Sequence, residues 1–225
     1  FLASMSHEIR TPMNAITGII ELMRREPLSP RQAENLHRLQ EASQHLLAMI
    51  NDILDMSKIE ADKLHLEESA LKVSEVLGSV VSMVESQARA KGLALRLRHR
   101  SPLPAACLSD PLRIAQILVN LIGNALDAMQ GQSTPPHVWL EGAVSEGKYR
   151  LQVRDNGPGM DEETLKHIFD PFYTTKPIGQ GSGMGLSISF KIIQEHGGRI
   201  LIDTVKDAGT VFTILLPLSN AATTP

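Results

Sequence analysis

Near the start of the chain a histidine, a carboxylate and a hydroxyl stand close together, at His7, Glu8 and Thr11. Leu2, Met5, Ile9, Ile16, Ile19 and Met23 recur at the three-and-four spacing of a coiled-coil seam. With Leu2 and Met5 on that seam, His7 falls on the opposite, solvent-facing side, with Glu8 beside it. Thr11 lies one turn further along the same outward face. An imidazole changes charge near neutral pH and is a usable nucleophile or base, so the trio makes a plausible reactive group on a rigid rod. By itself a lone histidine there is a solvated helix face, and the rest of the chain has to decide.

Two glycine-rich stretches add a second kind of chemistry. Asp155-Asn-Gly157-Pro-Gly159-Met comes directly after an alternating stretch that reads as a strand. Its glycines allow a tight turn and close backbone approach to a ligand, and a carboxylate at a strand end can accept from an exocyclic amine. Alone, Asp-Asn-Gly is an ordinary turn signal. Further on, Gly179-Gln-Gly181-Ser-Gly183-Met-Gly185-Leu186 runs alternate glycines into a helix. Such a run exposes backbone N–H groups where the helix dipole also favours anions. A dinucleotide fingerprint would need a strand just before the glycines, and here a Pro/Thr/Lys loop precedes them. No Walker sequence and no protein-serine-kinase signature occurs in the chain.

The elements that position these groups fall into two parts, 1–65 and 66–225. The first helix runs from about the N-terminus to Arg24 or Arg25, with Pro12 removing a backbone donor inside it and predicting a bend. Ser29 and Pro30 read as the N-cap and first position of a second helix. That helix carries Leu36, Leu39, Ser43, Leu46, Ile50, Ile53 and Ser57 at heptad spacing and ends near Leu64. A two-helix hairpin cannot enclose its own seam, so a second copy closing a four-helix bundle is expected. The second part reads as a mixed α/β layer with helices on one sheet face. Helices are expected over Val73–Lys91, Asp110–Met129, Glu162–Ile168 and Gly185–His196. Strands are expected from Leu93, over His137–Val144, Tyr149–Asp155 and Arg199–Thr204, and over Gly209–Leu216.

Ser-His7-Glu8-Ile-Arg-Thr11-Pro-Met-Asn closely resembles the phosphoacceptor box of sensor histidine kinases, and further boxes of that family occur downstream in the family's order, over nearly the whole chain. Asn120-Leu-Ile-Gly-Asn124-Ala-Leu-Asp127 is similar to the asparagine box of the ATP-binding fold shared by gyrase, heat-shock chaperones, histidine kinases and mismatch-repair proteins. The resemblance implies a dimerisation and histidine-phosphotransfer hairpin over 1–65 and a catalytic ATP-binding α/β-sandwich domain over 66–225. It implies ATP and Mg²⁺ as cofactors, with Asn124 on the magnesium and Asn120 nearby. Asp155 would bind the adenine amino group, with Gly157 and Gly159 shaping that wall of the site. Phe169 and Phe172 resemble the phenylalanine box beside a mobile lid containing Lys176, and Gly181, Gly183, Gly185 and Leu186 would cradle phosphates. Thr210 would stand at the entry of the final strand.

The resemblance further implies autophosphorylation of His7, with Glu8 handling a ring proton, and relay to an aspartate of a response-regulator receiver domain. Thr11 would orient a water for dephosphorylating that regulator. Members that hydrolyse ATP place a glutamate one helical turn before the magnesium asparagine, and here that position is Asn120, an amide that cannot take a proton. A chaperone-like ATPase is therefore disfavoured; a catalytically silent ATP-binding scaffold is the remaining alternative. Two departures stand out. Asp127-Ala-Met replaces the lysine-containing ending that most members carry after the second asparagine. That ending and Pro-Phe-Tyr-Thr-Thr-Lys176 are similar to the nitrogen-regulation branch, whereas the phosphoacceptor box is similar to the hybrid kinases.

The balance of residues agrees with this. Of the 225 residues, 42% are hydrophobic and 21% charged, enough for a packed core under a polar surface. A net charge of −3 gives no electrostatic footprint for nucleic acid. Cys107, the single cysteine, excludes an intrachain disulfide, and a buried thiol in a reducing, cytoplasmic setting is expected. No apolar run approaches the ~20 residues that span a bilayer, so no membrane contact is expected within this stretch. The chain opens in the middle of helical periodicity without an initiating methionine, which predicts a piece of something longer.

Overall fold

The computed structural model describes residues 2–61, 64, 66–67, 69–90, 92, 94–99, 107–145, 147–177 and 181–217. For residues 2–7 and 107–108, among others, it gives the helix or strand they belong to and not their side chains. The chain divides into two compact units, Phe1–Leu64 with Pro177–Met184, and His65–Lys176 with Gly185–Pro225.

In the first unit, α1 (Leu2–Met23) and α2 (Pro30–Glu60) pack side by side. Their connection ends in a capping box. The Ser29 hydroxyl accepts from the Gln32 N–H and the Gln32 side chain accepts from the Ser29 N–H, with Pro30 at the first helical position. Helix α2 stops at Glu60, four residues short of the expected Leu64. Met13 and Ile20 of α1 and Leu36, Ser43 and Leu54 of α2 are buried. The other half of the heptad pattern stays in solvent: Ile19 is 57% exposed, Leu39 55%, Leu46 43% and Ile53 48%. One set of heptad positions thus closes the hairpin and the alternate set forms an uncovered apolar stripe, because two helices can cover only one side of a seam. The glycine-rich segment groups with this unit, and the Ser182 hydroxyl donates to Asp52 Oδ2 at 2.7 Å.

The second unit is built on a mixed five-stranded sheet of order β2-β4-β5-β7-β6, formed by Ala94–His99, His137–Ser145, Lys148–Asp155, Gly209–Pro217 and Arg199–Val205. The β2–β4 pairing is parallel and the other three are antiparallel. A short antiparallel pair, β1 (Ser69–Leu71) with β3 (Cys107–Ser109), was not foreseen, since three residues are too few to show alternation. The Cys107 side chain lies outside the described residues. Helices α3 (Val73–Ala90), α4 (Pro111–Ala128) and α6 (Gly185–Glu195) pack on the sheet and on one another, while α5 (Glu162–His167) leads into the loop that ends at Lys176.

Helix α4 is the spine of this unit. The Asp110 carboxylate caps it by accepting from the N–H groups of Leu112 and Arg113, and Pro111 occupies the first position. Ile117, Leu118, Leu121 and Ile122 are fully buried, as are Ile188 and Ile192 of α6 and Val138, Leu140 and Leu151 of the sheet. Each such side chain contributes about 1.5–3 kcal/mol on leaving water. That burial fixes which face of α4 remains for polar work.

Candidate functional site

The remaining face of α4 carries Asn120, Asn124 and Asp127, spaced i, i+4 and i+7 so that they line up. Each side chain makes a different contact. The Asn120 amide nitrogen donates to the Gly185 carbonyl at 3.2 Å and to Ser189 Oγ at 3.3 Å, which braces α4 against the first turn of α6. A Cβ on Gly185 would lie 3.5 Å from the Asn120 amide, so the first turn of α6 sits directly on this side chain. Lys176 Nζ donates to Asn124 Oδ1 at 3.0 Å and to Asp127 Oδ2 at 2.6 Å. The Asn124 oxygen thus faces a cationic group in this structure.

At the end of β5, Asp155 is buried, 6% exposed, in a set of backbone donors. Its Oδ1 accepts from the Gly157 N–H at 2.9 Å and the Thr210 N–H at 3.2 Å, so the carboxylate's other oxygen is left for a ligand donor. Burial pushes the Asp155 pKa up from the ordinary carboxylate value; the two backbone hydrogen bonds and the Arg154 charge pull partly the other way. Thr210 is itself fixed, its hydroxyl 3.1 Å from Thr204 Oγ1, which also accepts from the Met160 N–H at 3.0 Å. Asn156 joins in by accepting from the His137 N–H at 2.7 Å, tying the loop after β5 to the start of β4.

The two glycines after Asp155 have separate tasks. A Cβ on Gly157 would stand 2.9 Å from Asp155 Oδ1 and 3.1 Å from Met129 Cγ, so Gly157 keeps the carboxylate in place. Gly159 has φ +65°, and its missing Cβ would fall on the Val205 carbonyl oxygen. There the close approach is by the turn between β6 and β7, held by the Asp207 N–H on the Pro158 carbonyl at 2.7 Å.

The two phenylalanines part company. Phe169 is half-buried and packs on Phe190 of α6, ring centroids 4.8 Å apart. Phe172 is 67% exposed and takes φ +68°, a strained left-handed conformation for an aromatic residue. Gly185 and Leu186 open α6 in the second unit, whereas Gly181 and Gly183 fall in the segment grouped with the first. His7 lies within α1 with its side chain outside the described residues, and Glu8 and Thr11 are exposed on the same helix.

The residues that sequence reading missed are Thr204, Asn156, Ser189 and Phe190. Each acts through another residue, across strand pairs or helix contacts, and only Phe190 carried any local signal, as an apolar position of α6. Among the described residues no group of three or more His, Cys, Asp or Glu could hold a metal ion. A divalent ion here would therefore draw its ligands from Asn124, water and phosphate oxygens, the pattern magnesium favours. Among the described residues no helix is long and apolar enough to cross a membrane.

Residues 1–62 match the model of the His Kinase A (phospho-acceptor) domain, and residues 109–220 match that of the histidine kinase-, DNA gyrase B- and HSP90-like ATPases. The sensor protein GacS of Pseudomonas syringae pv. syringae is 36% identical over 98% of this chain, which covers 25% of that protein. Full-length ShkA in complex with AMPPNP superposes with a TM-score of 0.80 at 30% identity, over 99% of this chain and 46% of that one. The catalytic domain of the histidine kinase ThkA is 31% identical, with a TM-score of 0.60 over 68% of this chain and 96% of that domain. The chain thus spans about a quarter of the length of the curated relatives it matches. With a phosphoacceptor hairpin and an ATPase-type sandwich in that order, the chain belongs to the sensor histidine kinases.

Proposed function

We propose that this chain is the catalytic core of a homodimeric histidine autokinase, its phosphotransfer hairpin lying within 1–65 and its ATP-binding domain within 66–225. His7 is the phosphoacceptor, and the phosphoryl group passes on to an aspartate of a response-regulator receiver domain. The observation that carries this reading is Asp155, a buried carboxylate with one oxygen fixed by two backbone N–H groups and the other left to accept from an adenine amino group.

In the phosphorylation step a lone pair of neutral His7 forms the P–N bond while the bond from the γ-phosphorus to the ADP oxygen breaks. Glu8 accepts or orients the proton on the second ring nitrogen. A magnesium ion bound with the nucleotide would neutralise charge on the phosphates, and Asn124 is the residue that would hold it. Asn120 is an amide and offers no base for activating water; its nitrogen instead braces α6 through Gly185 and Ser189. Gly157 and Thr210 hold Asp155, and Gly159 admits the turn between β6 and β7 beside it. Phe169, Phe172 and Lys176 border the phosphate side, and Gly181, Gly183, Gly185 and Leu186 supply the lid and its helix start.

The apolar stripe of Ile19, Leu39, Leu46 and Ile53 supports a dimer, in which a second hairpin would cover it. Thr11, one turn from His7, is suited to orient a water on the phospho-aspartate, which gives the protein a regulator-phosphatase activity. No nucleic acid is a partner in this reading, and the chain works in the cytoplasm.

Incubation with γ-labelled ATP, then with a panel of receiver domains, tests the proposal. Label that is acid-labile and alkali-stable, and that moves rapidly to one receiver, is expected. ATP binding without covalent label would overturn it in favour of a silent scaffold.

A further inference from the structure

Lys176 and Asp127 lie 49 residues apart in the chain, yet their charged groups are 2.6 Å apart. Ion pairs such as Arg38–Glu34 and Arg89–Glu85 join neighbours one helical turn apart, on faces where each side chain is at least half exposed. The Lys176 and Asp127 side chains are only 27% and 37% exposed. Lys176 Nζ also donates to Asn124 Oδ1 at 3.0 Å, and its backbone N–H donates to Thr174 Oγ1 at 3.1 Å. A loop lysine on a flexible stem would ordinarily sample many rotamers in water. This one is held at both its backbone and its head group, on the polar face of α4.

We propose that Asp127 is a positioning residue for Lys176, and that the pair forms one unit in which Lys176 meets the phosphates of the nucleotide. The inference rests on the ATP-binding reading above. Of the three N–H donors of the ammonium, one stays on Asp127; the third, and the one freed from Asn124 Oδ1 when that oxygen takes a divalent ion, are then available to incoming phosphate oxygens. The same pairing offsets the Asp127 charge next to Asn124, on the face of α4 where the triphosphate would lie. Lys176 is thus needed twice, to attract the phosphates and to neutralise the carboxylate next to them. Asp127 does not touch the nucleotide in this arrangement; it keeps the ammonium from swinging away.

The unit predicts a pattern that independent residues would not give. Fluorescent analogues of ATP and of adenosine are titrated into the intact chain and its variants with Mg²⁺ present, and single-turnover labelling is measured at saturating ATP. Lys176→Ala should weaken the ATP analogue by about 10²-fold, the scale of one oriented electrostatic contact, and leave the adenosine analogue unchanged. Asp127→Ala should keep ATP affinity within a factor of about three, because the positive charge survives, but slow labelling by roughly tenfold, because the charge is no longer held. Asp127→Glu should recover part of that rate. The double variant should bind ATP more tightly than Lys176→Ala alone, the sign of coupling between the two side chains.

Adenosine affinity reports whether each variant is folded, so a collapsed domain cannot pass for a specific effect. Effects of the two substitutions that simply add, or a Lys176→Ala variant with ATP affinity within a factor of about three of wild type, would overturn the pairing. A wild-type chain that binds neither analogue would instead overturn the ATP-site reading itself.

Discussion

The Thr210 backbone N–H donates to Asp155 Oδ1 at 3.2 Å, joining the second residue of β7 to the last residue of β5. The contact is possible because Gly209, at φ +99°, lets the chain enter β7 against the Asp155 backbone. A Cβ on Gly209 would collide with the Asp155 carbonyl oxygen. The proposed adenine-reading carboxylate is therefore aimed by two neighbouring strands together.

This arrangement predicts how nucleotide binding responds to pH. Burial raises the Asp155 pKa, so the carboxylate takes up a proton at a higher pH than an ordinary aspartate. Adenine recognition needs the ionised acceptor. Affinity for an ATP analogue should therefore fall on acidification above the usual carboxylate range. Linkage gives the opposite sign for the free domain, whose folded state binds this proton more readily than the unfolded chain. Its contribution to stability is present below the unfolded pKa and is lost as pH rises through the raised one. Asp155→Asn should remove most of the affinity at every pH, a loss of ~1–3 kcal/mol from one buried mismatch. Titrations of both proteins across the acidic range check it.

The glycines of the same loop separate fold from site. Gly159→Ala puts a Cβ on the Val205 carbonyl oxygen in a left-handed backbone. It should cost more than the ~1–2 kcal/mol of the conformation alone, read as a lower denaturant midpoint without nucleotide. Gly157→Ala meets the Asp155 side chain, so its main effect should be on ATP affinity, with a smaller change in midpoint.

The hairpin makes a similar distinction. Leu36 is 3% exposed, and Leu36→Ala should destabilise the unit by about 2–5 kcal/mol. Leu46 is 43% exposed on the uncovered stripe. Leu46→Lys should leave helix content nearly intact and shift sedimentation from dimer to monomer. A variant still dimeric at micromolar concentration would contradict the proposed use of that stripe.

Thr11→Ala should spare autophosphorylation and slow dephosphorylation of the phosphorylated regulator, since a methyl cannot orient a water. Measuring both activities in one preparation separates this from a folding effect near Pro12, which would lower them together.

Much of this was legible in the chain because it is written in local chemistry. Asp110-Pro111 announced the start of α4, Ser29-Pro30 that of α2, and strand-like runs between turn residues marked the five strands of the main sheet. Gly92, at φ +68°, lies just past the end of α3, a position that glycine favours. What was not legible depends on residues far apart in sequence. Nothing near Asn120 says that its amide braces Gly185 and Ser189, and nothing near Lys176 says that it pairs with Asp127. The Thr204–Thr210 contact exists only because β6 and β7 pair in one register. Heptad spacing gave both halves of the α2 seam but could not tell which half closes the hairpin. That depends on how α1 docks.

The central claim is that His7 takes the phosphoryl group from ATP bound in the second unit. Single-turnover labelling of His7→Gln beside wild type, with ATP affinity measured on both, tests it most directly. His7→Gln should carry no acid-labile label and keep ATP affinity within a factor of about two of wild type, since His7 and the adenine-binding Asp155 belong to separate units. Acid-labile label persisting on the variant would contradict it and move the search to His37 and His45 of α2.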